Sequence, residues 1–204
     1  MYGEAWRGGM TRTQKMIGTG AMVLLAAAML TCSELNKQAA PVAVFVTNTQ
    51  TLHKIDLAGG TGCDQNIATV LMQAVLLQNP TSGNLPTDTR FDDVRIDRYR
   101  VSYVRTDGGN LVPSPFVRSI STLLQVGAGN QNLTSFLAFE PSSLSQAPFA
   151  ALLPQNGGRD PETGRTTITM DLILEVFGQT LAGESVSGNT RMTLDFCVSC
   201  GGCA

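Results

Sequence analysis

The sequence predicts an all-β domain, an antiparallel β-sandwich of about seven strands with one short helix. Three observations lead to this prediction. Short runs rich in β-branched and aromatic residues alternate apolar with polar side chains, which is typical of half-buried strands. Clusters of Gly, Pro, Asn and Asp separate these runs, as turns do. No long segment of the putative domain repeats its apolar residues at the helical period.

The first part of the domain contains two expected strands and one ambiguous run. Residues 42–47 are β-branched and aromatic and predict a first strand, and a short strand is expected within 51–57. Residues 67–78 are long enough for a helix. Because their apolar residues alternate on one face and the run stops at Pro80, we interpret it as a buried strand, although periodicity alone does not separate the two.

The run 91–105 contains two apolar series that are out of phase with each other. Val94 and Ile96 share one face of a strand, whereas Tyr99 and Val101 begin a series displaced by one residue. A displacement of one residue turns every following side chain to the opposite face. We therefore expect either a β-bulge at Asp97–Arg98 or two halves that belong to different sheets.

The second half of the domain continues the alternation of strands and turns. Pro148 can open a helix, after which apolar residues fall on one side, so a short helical turn is expected within 142–153. The last two strands form a hairpin with one buried face. The expected strands are 116–126, 133–139, 168–176 and a last one that ends with Met192, Leu194 and Phe196.

An apolar run precedes the domain and has the features of an export signal. Residues 16–30 follow Arg12 and Lys15, and the run of about 15 residues is shorter than the roughly 20 that span a bilayer as a helix. We interpret 1–31 as a signal peptide, for which Met10 is a second candidate start. An uncleaved anchor and a buried helix are the alternatives.

The end of this run, Ala28-Met-Leu-Thr-Cys32, resembles the lipobox of bacterial lipoproteins. The resemblance implies that Cys32 is diacylated and becomes the first residue of the mature protein, and cleavage after Ala28 is the rival reading. The polar stretch 32–41 ends in proline and is interpreted as a tether. The β-sandwich domain then covers 42–204 and includes a cysteine-rich tail.

The strand order resembles that of small exported bacterial lipoproteins with immunoglobulin-like domains. The residues that carry this resemblance are Leu174-Glu-Val-Phe-Gly178, the Gly-containing loop after it, and Met192-Thr-Leu-Asp-Phe196. It implies an immunoglobulin-like sandwich and no particular chemistry. In that topology the last strand runs parallel beside the first, which would bring Cys63 and the tail to the same end of the sandwich.

The chain has five cysteines, and lipidation of Cys32 would leave an even number. In an oxidising compartment an even set favours disulfides. A Cys₄ metal site formed by the same four residues is the alternative, and a free or intermolecularly paired tail is a third reading. The disulfide candidates are Cys63, Cys197, Cys200 and Cys203.

Composition and motifs point away from two classes of function. The formal net charge of −2 argues against binding to a nucleic-acid backbone, which requires clustered Lys and Arg. The single histidine, His53, is accompanied by no hydrolase signature and is interpreted as a surface or half-buried residue. The carboxylates Asp92, Asp93 and Asp97, like those in the loop 155–165, are interpreted as solvated groups in ion pairs; a calcium site is the alternative for the three aspartates.

From these observations we expect a non-enzymatic cell-envelope lipoprotein, without a cofactor, whose sandwich acts as a binding or assembly module. It would be exported and held at the membrane by the lipid on Cys32, facing the periplasm or the cell surface. The expected partner is an envelope protein or a second copy of the chain. The alternative function is a metal- or redox-active envelope protein that uses Cys197-Val-Ser-Cys-Gly-Gly-Cys203, and an unusual secreted hydrolase is the least favoured.

Overall fold

The computed structural model describes residues 41–49, 54–58, 66–77, 90–127 and 132–199. All of them belong to one compact unit, Ala40–Ala204. The signal peptide, almost all of the tether and the end of the tail lie outside the described residues. The strands are β1 (Val42–Asn48), β2 (Lys54–Asp56), β3 (Ile67–Leu76), β4 (Val94–Arg105), β5 (Phe116–Leu124), β6 (Asn132–Leu137), β7 (Thr167–Thr180) and β8 (Ser185–Cys197).

Two sheets pack face to face and enclose one apolar core. The small sheet has the order β1-β3-β6, and the large sheet has the order β2-β8-β7-β4-β5. All neighbouring strands are antiparallel except β2 and β8. The order agrees with an immunoglobulin-like sandwich, in which the first, second and fifth main strands form one sheet and the third, sixth and seventh form the other. The predicted all-β sandwich is confirmed.

The parallel neighbour of the last strand differs from the expected one. The resemblance placed β8 beside the first strand, but its parallel partner is the short β2, through Lys54–Asp195 and Asp56–Cys197. The reason is that β1 is hydrogen-bonded to β3 along its whole length in the small sheet. The chain then crosses to the large sheet, where three residues of β2 occupy the edge beside β8.

The ambiguous run and the phase shift both resolve as strands. The run at 67–78 is the strand β3, whose alternate residues from Ala68 to Ala74 are buried. In β4 the register shifts between Ile96 and Arg98 against both β5 and β7. This β-bulge keeps both apolar series of β4 facing the core, so the first of the two expectations is confirmed.

A short helical segment closes one end of the core, as expected. Helix α1 (Phe149–Leu152) lies between 3₁₀ turns at Pro141–Ser145 and Pro154–Asn156; a further 3₁₀ turn, Arg90–Asp92, precedes β4. Phe149 is fully buried, with its ring centroid 5.3 Å from that of Phe139 and 4.9 Å from that of Phe196. The helix therefore covers the end of the core where β8 finishes.

Candidate functional site

Backbone hydrogen bonds fix the tail to the turn after β2. The carboxylate of Asp56 is buried, and its Oδ1 accepts hydrogen bonds from the backbone amides of Ala58 at 2.8 Å and Ser199 at 3.2 Å. The amide of Leu57 donates to the carbonyl of Cys197 at 2.9 Å. One buried carboxylate thus joins two segments that are far apart in sequence.

Cys197 is the cysteine that the described residues contain. It is buried and disulfide-bonded, and its partner lies outside the described residues. Beside it is a pocket of about 230 Å³. The pocket is lined by Lys54, Thr166, Thr167, Asp195, Cys197, Val198 and Ser199. Cys32, Cys63, Cys200, Cys203 and His53 lie outside the described residues, so their predicted roles stay predictions.

A buried cluster of charged residues occupies the same end of the large sheet. We call Arg105, Asp107, Asp160 and Glu162 the Arg105 cluster. The guanidinium donates two hydrogen bonds to Asp107, at 2.7 and 2.8 Å, and one to Asp160 at 2.8 Å. The side chains of these three residues are at most 2% exposed. The cluster therefore connects the end of β4 to the loop that precedes β7.

Backbone and hydroxyl donors complete the partners of the three carboxylates. Asp107 accepts from the amides of Gly109 and Thr169, and Asp160 accepts from the amide and hydroxyl of Thr163. Oε2 of Glu162 accepts from the amides of Asn110 and Leu111, both at 2.8 Å. Within the described part of the chain, Oδ1 of Asp160 is buried without a hydrogen-bond partner.

These contacts determine the protonation of the cluster. Burial raises the pKa of Asp107 and of Asp160, but the hydrogen bonds and charge of Arg105, with the backbone and threonine donors, outweigh burial. Both pKa values therefore lie below the ordinary value of an aspartate. Hydrogen bonds from the amides of Leu111 and Asn110 likewise lower the pKa of Glu162. The cluster is ionised at neutral pH and serves as an internal clamp.

Two of the carboxylates interpreted as solvated are buried, so that interpretation is wrong for them. Asp160 is fully buried because its counterion, Arg105, lies 55 residues earlier in the chain. Asp93 is also buried, and its Oδ1 accepts a hydrogen bond from the amide of Val126 at 2.9 Å. Asp92 lies half-buried in the turn before β4. Among the described residues, no group of three or more His, Cys, Asp or Glu side chains is placed to hold a metal ion.

The outer faces of the two sheets differ in charge. On the large sheet Arg100 and Glu175 form an ion pair at 2.6 Å, and Arg191 pairs with Asp171. On the small sheet all three strands lack charged residues altogether. Its outward side chains include Phe45 and Leu133, which are 55% and 68% exposed. The molecule therefore has one charged and one uncharged outer face.

Strand β5 forms one edge of the large sheet. It is nine residues long and contains one charged residue, Arg118, whose guanidinium is held by both carboxylate oxygens of Glu140 at 2.7 and 2.8 Å. Val117 and Leu123 are exposed along it. Edge strands are usually guarded by free charges, prolines or bulges within the strand. Among the described residues β5 pairs on one side only, with β4, apart from a single bridge between Val126, beyond its end, and Ala74.

Comparison with known proteins leaves the chain without an assigned family. No protein-family model matches the sequence. No curated protein matches it either. The described residues include no helix that is long and apolar enough to cross a membrane.

Proposed function

We propose that the protein is an exported, non-enzymatic lipoprotein of the cell envelope whose sandwich binds another envelope protein. Acyl chains on Cys32 hold it at the membrane, residues 33–41 act as a tether, and the domain faces the periplasm or the cell surface. The proposal needs no cofactor and no nucleic acid. Resemblance of residues 28–32 to a lipobox supports the anchor.

The observation that carries the binding proposal is the open edge formed by β5. A partner strand added to this edge would make main-chain hydrogen bonds, while side-chain contacts would select it. The edge suits this use because its one charge is neutralised by Glu140 and because Val117 and Leu123 offer apolar contacts. The partner is therefore an extended segment of a second envelope protein or of a second copy.

The test is capture of the partner by the full-length protein in its own envelope. Native membranes are treated with a mild cross-linker, and the protein is recovered with whatever is joined to it. Val117→Lys and Leu123→Lys, introduced together, place two cations on the β5 edge and should abolish recovery of the partner, because charged side chains block strand addition.

The matched control is Val104→Lys, which adds a charge to the outer face of β4, a strand inside the same sheet. This variant should recover the partner as the unmodified protein does. Equal recovery with the β5 and β4 variants would remove the edge as the contact. If no partner is recovered under any condition, the binding function itself fails. Thermal unfolding of each variant shows whether its fold is intact.

The tail supports a proposal of its own, that Cys197 pairs with Cys63. Asp56 and Leu57 already hold the tail against the turn after β2, and Cys63 follows Ala58 by five residues. Five residues of chain reach at most about 17 Å, which is enough to return to Cys197. In the loop-entropy model a bridge that closes so long a loop contributes roughly 4–5 kcal/mol. Peptide mapping without reduction identifies the pair, and a Cys197–Cys200 linkage would contradict it.

The alternative function is a redox or metal role for the tail, and the pocket beside Cys197 favours it. A buried structural disulfide resists reduction, whereas a functional one exchanges readily. Protein taken from its native envelope is alkylated before and after mild reduction and weighed. Rapid reduction of the bond at Cys197, or co-purifying zinc, would support the alternative, and neither result is expected if the bond is structural.

A further inference from the structure

We propose that the outer face of the small sheet lies on the surface of a phospholipid bilayer, the one that holds the acyl chains of Cys32. This inference rests on the lipid anchor of the proposed function and adds an orientation to it. The face that contacts lipid is the one formed by β1, β3 and β6. The charged large sheet, with the β5 edge, is then turned away from the lipid and towards a partner.

The apolar side chains of this face form one continuous patch. Thr47, Leu71 and Leu133 lie side by side across the three strands, as the pairing register shows. Phe45 is opposite Gln73 and diagonal to Leu71, within reach of an aromatic side chain. Exposure is high along the patch, since Ile67 is 43% exposed in addition to Phe45 and Leu133.

The chemistry of the face is that of a lipid contact. Soluble surfaces normally mix charged side chains of both signs, and the large sheet does so with its two ion pairs. The small sheet offers aromatic and aliphatic groups among threonine, serine and glutamine, without a charge that would have to be desolvated. Apolar groups on such a face can enter the boundary between headgroups and acyl chains.

Chain connectivity places the same sheet close to the anchor. The tether enters β1 at Pro41, whose carbonyl accepts a hydrogen bond from the amide of Leu77 at 2.7 Å. Nine residues separate Cys32 from β1, and a chain of that length spans at most about 30 Å. The end of the patch at which Leu77 is 62% exposed is therefore within about 30 Å of the acyl chains.

The size of the face argues for a bilayer and against a second copy. Three strands about 4.8 Å apart and about 24 Å long cover only about 350 Å². A stable protein dimer needs about 800 Å² on each partner. A bilayer contact needs no such area, because the tether holds the face at a high local concentration beside the lipid.

Tryptophan fluorescence in reconstituted vesicles tests the orientation. The chain has a single tryptophan, Trp6, which is replaced by phenylalanine so that each variant contains one probe. Phe45→Trp puts the probe on the small sheet, and Val104→Trp puts it on the outer face of β4 in the large sheet. These two positions are 55% and 46% exposed, so neither substitution disturbs the core.

Full-length protein is purified from cells that process it and reconstituted into phosphatidylcholine vesicles with unmodified or brominated acyl chains. The tryptophan of Phe45→Trp should emit at shorter wavelength and lose roughly half of its intensity in the brominated vesicles, because it lies at the acyl boundary. The tryptophan of Val104→Trp should do neither. Thermal unfolding confirms that both variants are folded.

Three results would overturn or reassign the inference. If both probes respond alike, the small sheet has no preferred contact with lipid. If Phe45→Trp is shifted but not quenched, a second copy or another protein covers the face. If mass analysis finds no acyl group, the anchor of the proposed function fails, and the same vesicles mixed with the unlipidated protein still decide the inference by the presence or absence of quenching.

Discussion

Arg105 and Asp160 form a buried ion pair that joins the end of β4 to the loop before β7. The guanidinium Nη2 lies 2.8 Å from Oδ2 of Asp160, with side-chain exposures of 2% and 0%. Asp107 occupies the remaining side of the guanidinium with two hydrogen bonds. A charge buried this deeply is tolerated only while its counterions stay in place. The loop is therefore held by electrostatics rather than by apolar packing.

Replacing Arg105 by glutamine should lower the free energy of unfolding by about 3–5 kcal/mol, since two buried carboxylates lose their counterion. Urea denaturation at pH 7 measures the loss. Arg118→Gln is the control, because it removes the exposed pair with Glu140 and should change stability far less. Equal losses in the two variants would mean that burial of the Arg105 cluster has no energetic weight.

The unmodified protein should lose stability as the pH falls below about 4. Asp107 and Asp160 have pKa values below their ordinary range in the folded protein. The unfolded chain, whose aspartates titrate near 3.9, therefore binds protons first, and stability that is present above that pH disappears as the folded carboxylates protonate. Urea midpoints between pH 7 and pH 3 report the change.

Arg105→Gln supplies the contrast for this pH dependence. Without the guanidinium, burial dominates and raises the pKa of both carboxylates, so acid should destabilise the variant much less. Parallel pH profiles for the variant and the unmodified protein would show that other groups cause the acid sensitivity.

Two tyrosines should resist ionisation in the folded state. Burial raises the pKa of Tyr99 and of Tyr103, and the hydroxyl of Tyr103 donates a hydrogen bond to the carbonyl of Ala138 at 2.7 Å. With Tyr2 replaced by phenylalanine, phenolate absorbance should appear only with unfolding above pH 10 or so, because the unfolded chain ionises first. Reversible ionisation of a tyrosine near pH 10 in the folded protein would contradict this.

Gly188 marks a close approach between the sheets. A Cβ at this position would lie 2.5 Å from the carbonyl oxygen of Val44 in β1. Gly188→Ala should therefore destabilise the fold by about 1–3 kcal/mol, because the opposing group is backbone and must move. Ser187→Ala, at the exposed neighbouring position, is the control in urea denaturation and should be nearly neutral. Similar midpoints for the two variants would disprove the close approach.

Local patterns in the sequence were sufficient for most strands. The displaced apolar series of β4 predicted its bulge because alternation is a property of neighbouring residues. The run that became β3 was separated from a helix by the same alternation. The parallel pairing of β2 with β8 was assigned to the wrong strand, since three residues carry little periodicity.

The role of Asp160 was beyond the reach of local patterns. It lies in a polar, glycine-containing loop, which reads as solvated surface. Its burial depends on Arg105, 55 residues earlier, and on Thr163 within the loop. Only the threonine is a sequence neighbour, so periodicity could not identify the ion pair.

The sequence alone determined the all-β class, most strands and the absence of charge from β1, β3 and β6, because side-chain alternation and composition are written locally. Only the tertiary structure decided that these three strands lie side by side, that β5 ends a sheet and that Arg105 meets Asp160. Strand pairing and buried ion pairs join residues that are distant in the chain. Their stability comes from backbone hydrogen bonds and from excluding water around opposite charges, which exist only after the sheets have assembled.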